Sequence, residues 1–480
     1  MKNFNKIILA ALAVTFFSCS DDFDNPVEDF QVTSGTADFT KYVALGNSLT
    51  SGYMDNALYI SGQENSYPNI LSGLMKPAGG GEFTQPLMPD DIGGFSNFAI
   101  AGKLQLQLVN GSLSPVPTPA QSPFTPASGS YNNMGVPGAK SFHLGVAGYG
   151  NPAGIAAGTA NPYYARFASS STSSVIADAV AQAPTFFSLW IGNNDVLSYA
   201  TSGGAGVDQS GNTNPATYGS NDITDPNVLA NVIDGYVKAL TANGAKGVIA
   251  NIPSVTSVPF FTTVPSKPLT TLQDAQVSAL NTAYATYNGA LAQAKAAGVL
   301  TDAEYQKRLI NFTAGTANGA VMVDKFLTDL SAMGIPSYRQ TTTKDLLLLP
   351  ASTALQQGYG TSLQLPDSLV LSEDELAKVE AAVIAYNTKI AAIATAYDVA
   401  LVDANAEMRK IANSGLTFYG TTYTTTFVSG GAFSLDGVHP TGIGYAIVAN
   451  MFVDAINRKY NSTLRHVNPN HYKGVTFPGG

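Results

Sequence analysis

"KYVALGNSLTSGY" spans residues 41–53. An apolar run stops at Gly46, and a small polar cluster, Asn47 and Ser48, follows it directly. Read as a turn, the cluster only punctuates a strand. Read as the carboxyl end of a buried parallel strand, it places a serine hydroxyl where open α/β sheets bind their ligands. The choice depends on whether other strand ends carry matching chemistry.

Three more stretches read as buried strands: "PTFFSLWIGNND" (184–195), "AKGVIANIPSV" (245–255) and "YDVALVDANAE" (397–407). They are short apolar runs without polar alternation, as expected of strands covered on both faces. Between them lie segments with helical periodicity. Residues 225–244 open with Asp225 before Pro226, a cap followed by a first-turn proline. Residues 272–298 are Ala-rich, 371–397 begin with Ser372 and acidic residues, and 440–460 form a final helix. Strands alternating with helices predict an α/β fold with a mainly parallel sheet. Residues 76–174, 256–270 and roughly 310–370 break the pattern with Gly, Pro and Ser, and read as insertions decorating the core.

The 480 residues suffice for a large domain with insertions, and 45% hydrophobic content supports a sizeable core. Charged residues make up only 12%, with a net charge of -9. A chain so poor in Lys and Arg lacks the footprint of a nucleic-acid binder.

Gathering the strand ends collects a chemistry. The first carries Ser48, and the strand at 184–195 ends in Gly192, Asn194 and Asp195. Asp436 and His439 stand three residues apart just before the last helix. A serine, an amide, a carboxylate and an imidazole are the parts that acyl transfer requires.

Four ordered blocks carry a family resemblance: "ALGNSLTSGY", "NMGVPGAKS" (133–141), "IGNND" (191–195) and "DGVHPTGIGY" (436–445). Together they resemble the SGNH, or GDSL-type, esterases and lipases, and "ANIPSV" is similar to a strand end of that family. The resemblance implies a three-layer α/β/α sandwich of flavodoxin-like type. It implies hydrolysis of carboxylic esters of lipids, acylated sugars or other alcohols through an acyl-enzyme, without a metal or organic cofactor. Ser48 is then the nucleophile, His439 its base and Asp436 the group that holds the imidazole. The oxyanion hole comprises the backbone N–H groups of Ser48 and Gly138 and the Asn194 amide. Asn47, Gly192 and Asp195 support the site. Asn47 stands where the namesake motif has Asp, which touches local loop hydrogen bonding and leaves the triad intact.

Each residue also has a plain structural reading. Ser48 fits a turn, Asn194 and Asp195 fit a helix cap or Asx turn, and Asp436 fits a helix entry. His439 precedes a proline, and His143 beside the Gly138 block reads as a pocket-edge residue. Asp195 is the alternative partner for His439. Rival motifs fail. Thr50 breaks G-x-S-x-G, Ala139 breaks a P-loop reading of "GVPGAKS", and "GYGNPAG" is one residue too long for a dinucleotide fingerprint. Four histidines undersupply a two-metal phosphatase. A second function class is a non-catalytic surface lipoprotein that binds a glycan or lipid on a degenerate hydrolase scaffold.

Residues 1–18 read as a signal peptide. Cys19, the only cysteine, ends "FFSC", which resembles a lipobox and implies a lipid anchor. Residues 19–39 read as an acidic tether, and Ser20-Asp21-Asp22 resemble a surface-export tag. The expected organisation is a hydrolase domain at 40–465 with insertions at about 76–174 and 256–370, then a tail at 466–480. The expected location is the outer membrane as a lipoprotein, with exposure at the cell surface, and a periplasmic or secreted form is the alternative.

Overall fold

The computed structural model describes residues 31–109 and 111–478. The expected signal peptide, Cys19 and Ser20-Asp21-Asp22 lie outside the described residues. Five strands form the central sheet: β1 (Tyr42–Gly46), β2 (Asn133–Gly135), β3 (Phe186–Trp190), β4 (Lys246–Ala250) and β5 (Ala400–Val402). All neighbours are parallel, in the order β5-β4-β3-β1-β2. The helices that matter here are α1 (Tyr67–Met75), α2 (Val175–Ala181), α3 (Asn194–Thr201), α4 (Pro226–Thr241), α5 (Asp274–Ala296), α6 (Glu373–Ala396), α7 (Ala404–Ser414) and α8 (Gly442–Tyr460).

The period of two along each strand builds two cores. Val43 and Leu45 of β1 join Phe187, Leu189 and Ile249 against α2, α4 and α6. Tyr42 and Ala44 face the other way, with Phe186, Trp190 and Val248, against α1 and α8. A parallel sheet covered on both faces explains why the strands read as unbroken apolar runs. The helix starts follow from local chemistry. The Asp225 carboxylate accepts from Asn227 N and Val228 N ahead of α4, and Ser372 with Glu375 forms a capping box on α6.

Several sequence boundaries move. Residues 133–135, placed within an insertion, are the edge strand of the central sheet. Three residues are too few to show an apolar run. The Pro/Ser-rich stretch nearby contributes an antiparallel hairpin, Leu104–Val109 with Ser112–Pro117. Of residues 397–407 only Ala400–Val402 are strand, because Asp403 caps α7 from its own side chain. The expected tether does not run to residue 39: Thr36 N donates to Tyr460 O, and Phe39 is buried edge-on against Phe186. Within 256–370, small separate clusters such as Val264, Met322, Leu347 and Leu365 form off the sheet.

The sheet order places the site. The chain adds β2 on one side of β1 and β3 to β5 on the other, so the order reverses beside β1. At such a switch point a crevice opens beyond the carboxyl ends of β1 and β3.

Candidate active site

Ser48 follows β1 by two residues and starts a one-turn helix, Ser48–Ser51. Gly46 allows the close approach that this demands, since a Cβ there would lie 2.1 Å from Thr50 Oγ1 and 2.4 Å from Trp190 O. Asn47 caps the turn, its Oδ1 accepting from Leu49 N at 3.1 Å, while its Nδ2 is buried without a partner. Being the first helical residue, Ser48 has a backbone N–H with no intrahelical acceptor.

The loop before α8 brings the imidazole to this serine. His439 Nε2 lies 2.9 Å from Ser48 Oγ, and His439 Nδ1 lies 2.9 Å from Asp436 Oδ2. The other carboxylate oxygen, Oδ1, accepts from Val438 N and His439 N, each at 2.8 Å. Burial pushes the Asp436 carboxyl up, but the adjacent His439 and these N–H donors outweigh it. The net effect holds Asp436 below its ordinary value. Asp436 and His439 sit on one tight loop, closed by Ser434 N donating to His439 O at 2.8 Å.

Two further strand ends complete the crevice. After β2, Val136-Pro137-Gly138-Ala139 forms a turn closed by Ala139 N donating to Val136 O at 3.1 Å. Proline and then a glycine at φ +79° is the type II signature. Gly138 is exposed, and among the described residues its N–H makes no hydrogen bond. After β3, Asn194 opens α3, and its Nδ2 donates one bond to Ala139 O at 2.9 Å. That bond ties the amide to the Gly138 turn and leaves its second N–H.

Asp195 is not on the histidine. Its buried carboxylate accepts from Ser141 N and Ser141 Oγ, both at 2.7 Å, fastening α3 to the segment after Gly138. Burial raises the Asp195 carboxyl, against the pull of Ser141. Gly192, at φ +113°, leaves room beneath the loop: a Cβ there would stand 2.9 Å from Ile252 Cδ1. His143 stacks on Tyr149 and accepts from Lys140 N through Nδ1 at 3.0 Å, so it buttresses the Gly138 block.

Sequence reasoning missed Tyr53, Asp55 and Asn56. The Tyr53 ring lies 4.8 Å from the His439 ring, and Asn56 N donates to Asp436 Oδ2 at 2.8 Å. Only "MDNA", a turn-like pair between apolar residues, hinted at them. An apolar cavity of about 100 Å³ adjoins the serine and histidine loops, lined by Leu49, Trp190, Val258, Phe433, Val438 and Met451 among others. Among the described residues no group of three or more His, Cys, Asp or Glu side chains is placed to hold a metal ion.

The arrangement aligns a hydroxyl, a base and a carboxylate, with N–H donors on neighbouring strand ends. It is the geometry in which a serine can be deprotonated as it attacks a carbonyl. No family model matches the chain, and no curated protein matches it. Solved structures similar to it are esterases. One is a catalytic mutant of Axe2, an acetylxylan esterase from Geobacillus stearothermophilus. It is 10% identical, covers 90% of this chain and 98% of that chain, and has a TM-score of 0.33. Two other Axe2 mutants, described as an acetyl-xylooligosaccharide esterase from Geobacillus, are 10% and 11% identical. They cover 88% and 90% of this chain and 96% and 98% of theirs, with TM-scores of 0.31 and 0.33.

Proposed function

We propose that the chain is a serine hydrolase of carboxylic esters, of the SGNH (GDSL) type. The observation that carries this reading is the unbroken relay from Ser48 Oγ through His439 to Asp436, with 2.9 Å at each step. In the proposed mechanism Ser48 Oγ attacks the ester carbonyl while His439 Nε2 takes its proton. Asp436 holds the ring through Nδ1–H and stabilises the imidazolium. Charge on the carbonyl oxygen is met by Ser48 N–H, Gly138 N–H and the Asn194 amide. Collapse of the tetrahedral intermediate breaks the bond to the alcohol, which leaves with the proton from His439. Water, deprotonated by the same histidine, then releases the acid and frees Ser48.

The apolar cavity flanked by Leu49 and Val438 supports a hydrocarbon acyl group on the substrate, because each of these residues is a chain neighbour of Ser48 or His439. The test is hydrolysis of chromogenic esters of increasing acyl length by wild type and Ser48→Ala. We expect turnover by wild type alone; equal rates in both would overturn the assignment, and rates no higher than the uncatalysed background in both would favour a non-catalytic binder. We further propose that the chain is a lipoprotein anchored through Cys19 in the outer membrane. Labelling with a radioactive fatty acid that persists in Cys19→Ala would reject the anchor.

A further inference from the structure

The turn at Asp55-Asn56 lies only a few residues past the nucleophile, yet it grips the loop that carries the base. Met54 and Ala57 pair across it, Met54 N to Ala57 O at 3.1 Å and Ala57 N to Met54 O at 3.0 Å. Both central residues have positive φ, 52° at Asp55 and 61° at Asn56. Hairpin turns of this kind favour glycine, and a residue with a Cβ holds this conformation at a cost. Asp and Asn are the side chains that tolerate it best.

What the turn holds is the triad loop, at three consecutive residues. Asp55 N donates to Ser434 Oγ at 2.9 Å, and Leu435 N donates to Asp55 Oδ1 at 2.9 Å. Asn56 N donates at 2.8 Å to Asp436 Oδ2, the same oxygen that faces His439 Nδ1. The turn is itself braced. Asp55 Oδ2 accepts from Tyr59 OH at 2.6 Å, and Asp55 O accepts from Leu104 N at 2.7 Å. Tyr53, whose ring packs on His439, donates its hydroxyl to Asn56 O at 2.6 Å. No ordinary turn chemistry requires these three bonds to a loop almost four hundred residues away in the chain.

We propose that Asp55-Asn56 is a positioning element of the triad: the Asn56 N–H orients the Asp436 oxygen that faces His439, and the Asp55 carboxylate fixes the backbone carrying Asp436. Asp55 acts through the loop and does not touch the reacting atoms. It also sets a second carboxylate behind Asp436, so the imidazolium that forms during attack sees two negative groups in place of one. The groups facing this pair are Ser48 from the one-turn helix, Tyr53 and Tyr59 from the segment around the turn, Lys103 across from Asp55, and Tyr445 from α8. The proposal rests on the hydrolase reading for its effect on rate, but its geometric core is testable without turnover.

The test is the titration of the His439 ring in the full chain by NMR, assigned against His439→Gln among four histidines. Asp55→Asn removes the second charge while preserving shape. We expect the His439 midpoint to move to lower pH by at least about 0.3 unit. We also expect kcat on a chromogenic ester to fall about tenfold with KM within about twofold. The backbone arm compares Asn56→Val, which resists positive φ, with Asn56→Gly, which accepts it and keeps the N–H. Asn56→Val should lose at least about fivefold more kcat than Asn56→Gly. An unmoved titration in folded Asp55→Asn, or equal losses in the two Asn56 variants, overturns the proposal. A titration shift with no ester turnover in wild type would sink the hydrolase reading and leave the positioning role standing.

Discussion

At the scale of single residues, the proposed mechanism separates groups that react from groups that hold. The Asp436 carboxyl is held below its ordinary value of 3.8, so it stays ionised above that pH. In the proposed mechanism the neutral ring is the form that accepts the Ser48 proton. The pH–rate profile should therefore show no separate step from the Asp436 carboxylate above the ordinary value of 3.8. Asp436→Asn should reduce kcat by about 10⁴ while the chain stays folded, because an amide favours the wrong tautomer and cannot stabilise imidazolium. His439→Ala should cost at least as much, and the double variant no more than the worse single one, since the two act as a unit. Losses that multiply in the double variant would mean that Asp436 works apart from His439. These residues were legible because the D-x-x-H spacing and the polar strand ends are local features. Asp55 and Asn56 were not, because their partners lie far away in sequence and a D-N turn looks the same whether or not it grips anything.

At the scale of elements, the proposed oxyanion donors depend on how two strand ends are fastened together. Asn194 reaches Ala139 O, and Asp195 takes two bonds from Ser141, so α3 is tied to the segment of the Pro137-Gly138 turn at three points. Asp195→Asn puts an NH₂ where one of two donors now points. A buried donor left facing a donor costs about 1–3 kcal/mol. Urea unfolding should show that loss, and kcat should fall with it while His439 titrates as before. A change in the His439 titration instead would tie Asp195 to the imidazole, the role its place in the sequence left open. The turn itself was readable from Pro-Gly, whereas the strand before it was not. "NMG" has one large apolar side chain, and its strand character comes from pairing with β1, a tertiary contact that periodicity cannot register. The longer strands and the capped helices α4 and α6 were readable for the opposite reason, since their burial and their caps lie within the segment itself.

At the scale of the whole molecule, acid stability provides a test because a histidine lowered by burial, His143, and carboxyls raised by burial, Asp55, Asp195, Asp367 and Glu375, act with opposite sign as pH falls. Four histidines are present, and two have resolved shifts of opposite sign. Burial, helped by the Lys140 charge, lowers His143 from 6.5 to about 4. Its Nδ1 is committed as the acceptor for Lys140 N, which the protonated ring cannot be. The unfolded chain therefore binds a proton at this residue where the folded chain does not. Stability from His143 is complete above 6.5 and is lost as pH falls from 6.5 towards 4. The full loss is about 3 kcal/mol across that window. His466, raised by its bond to Asp454, works the other way: its contribution is present at low pH and fades as pH rises through its folded value. That pair is largely solvent-exposed and contributes little. Asp436 and Asp345, both held low, begin to matter only below their ordinary value of 3.8. Denaturant unfolding from pH 7 down to pH 4 should thus carry a destabilising slope from His143, set against the opposing gain from the carboxyls that burial raises. His143→Gln, which keeps a side-chain acceptor but cannot take the proton, should flatten that slope even if it lowers stability at neutral pH. An equally steep decline in the variant would mean that acid enters the fold somewhere other than beside the Gly138 block.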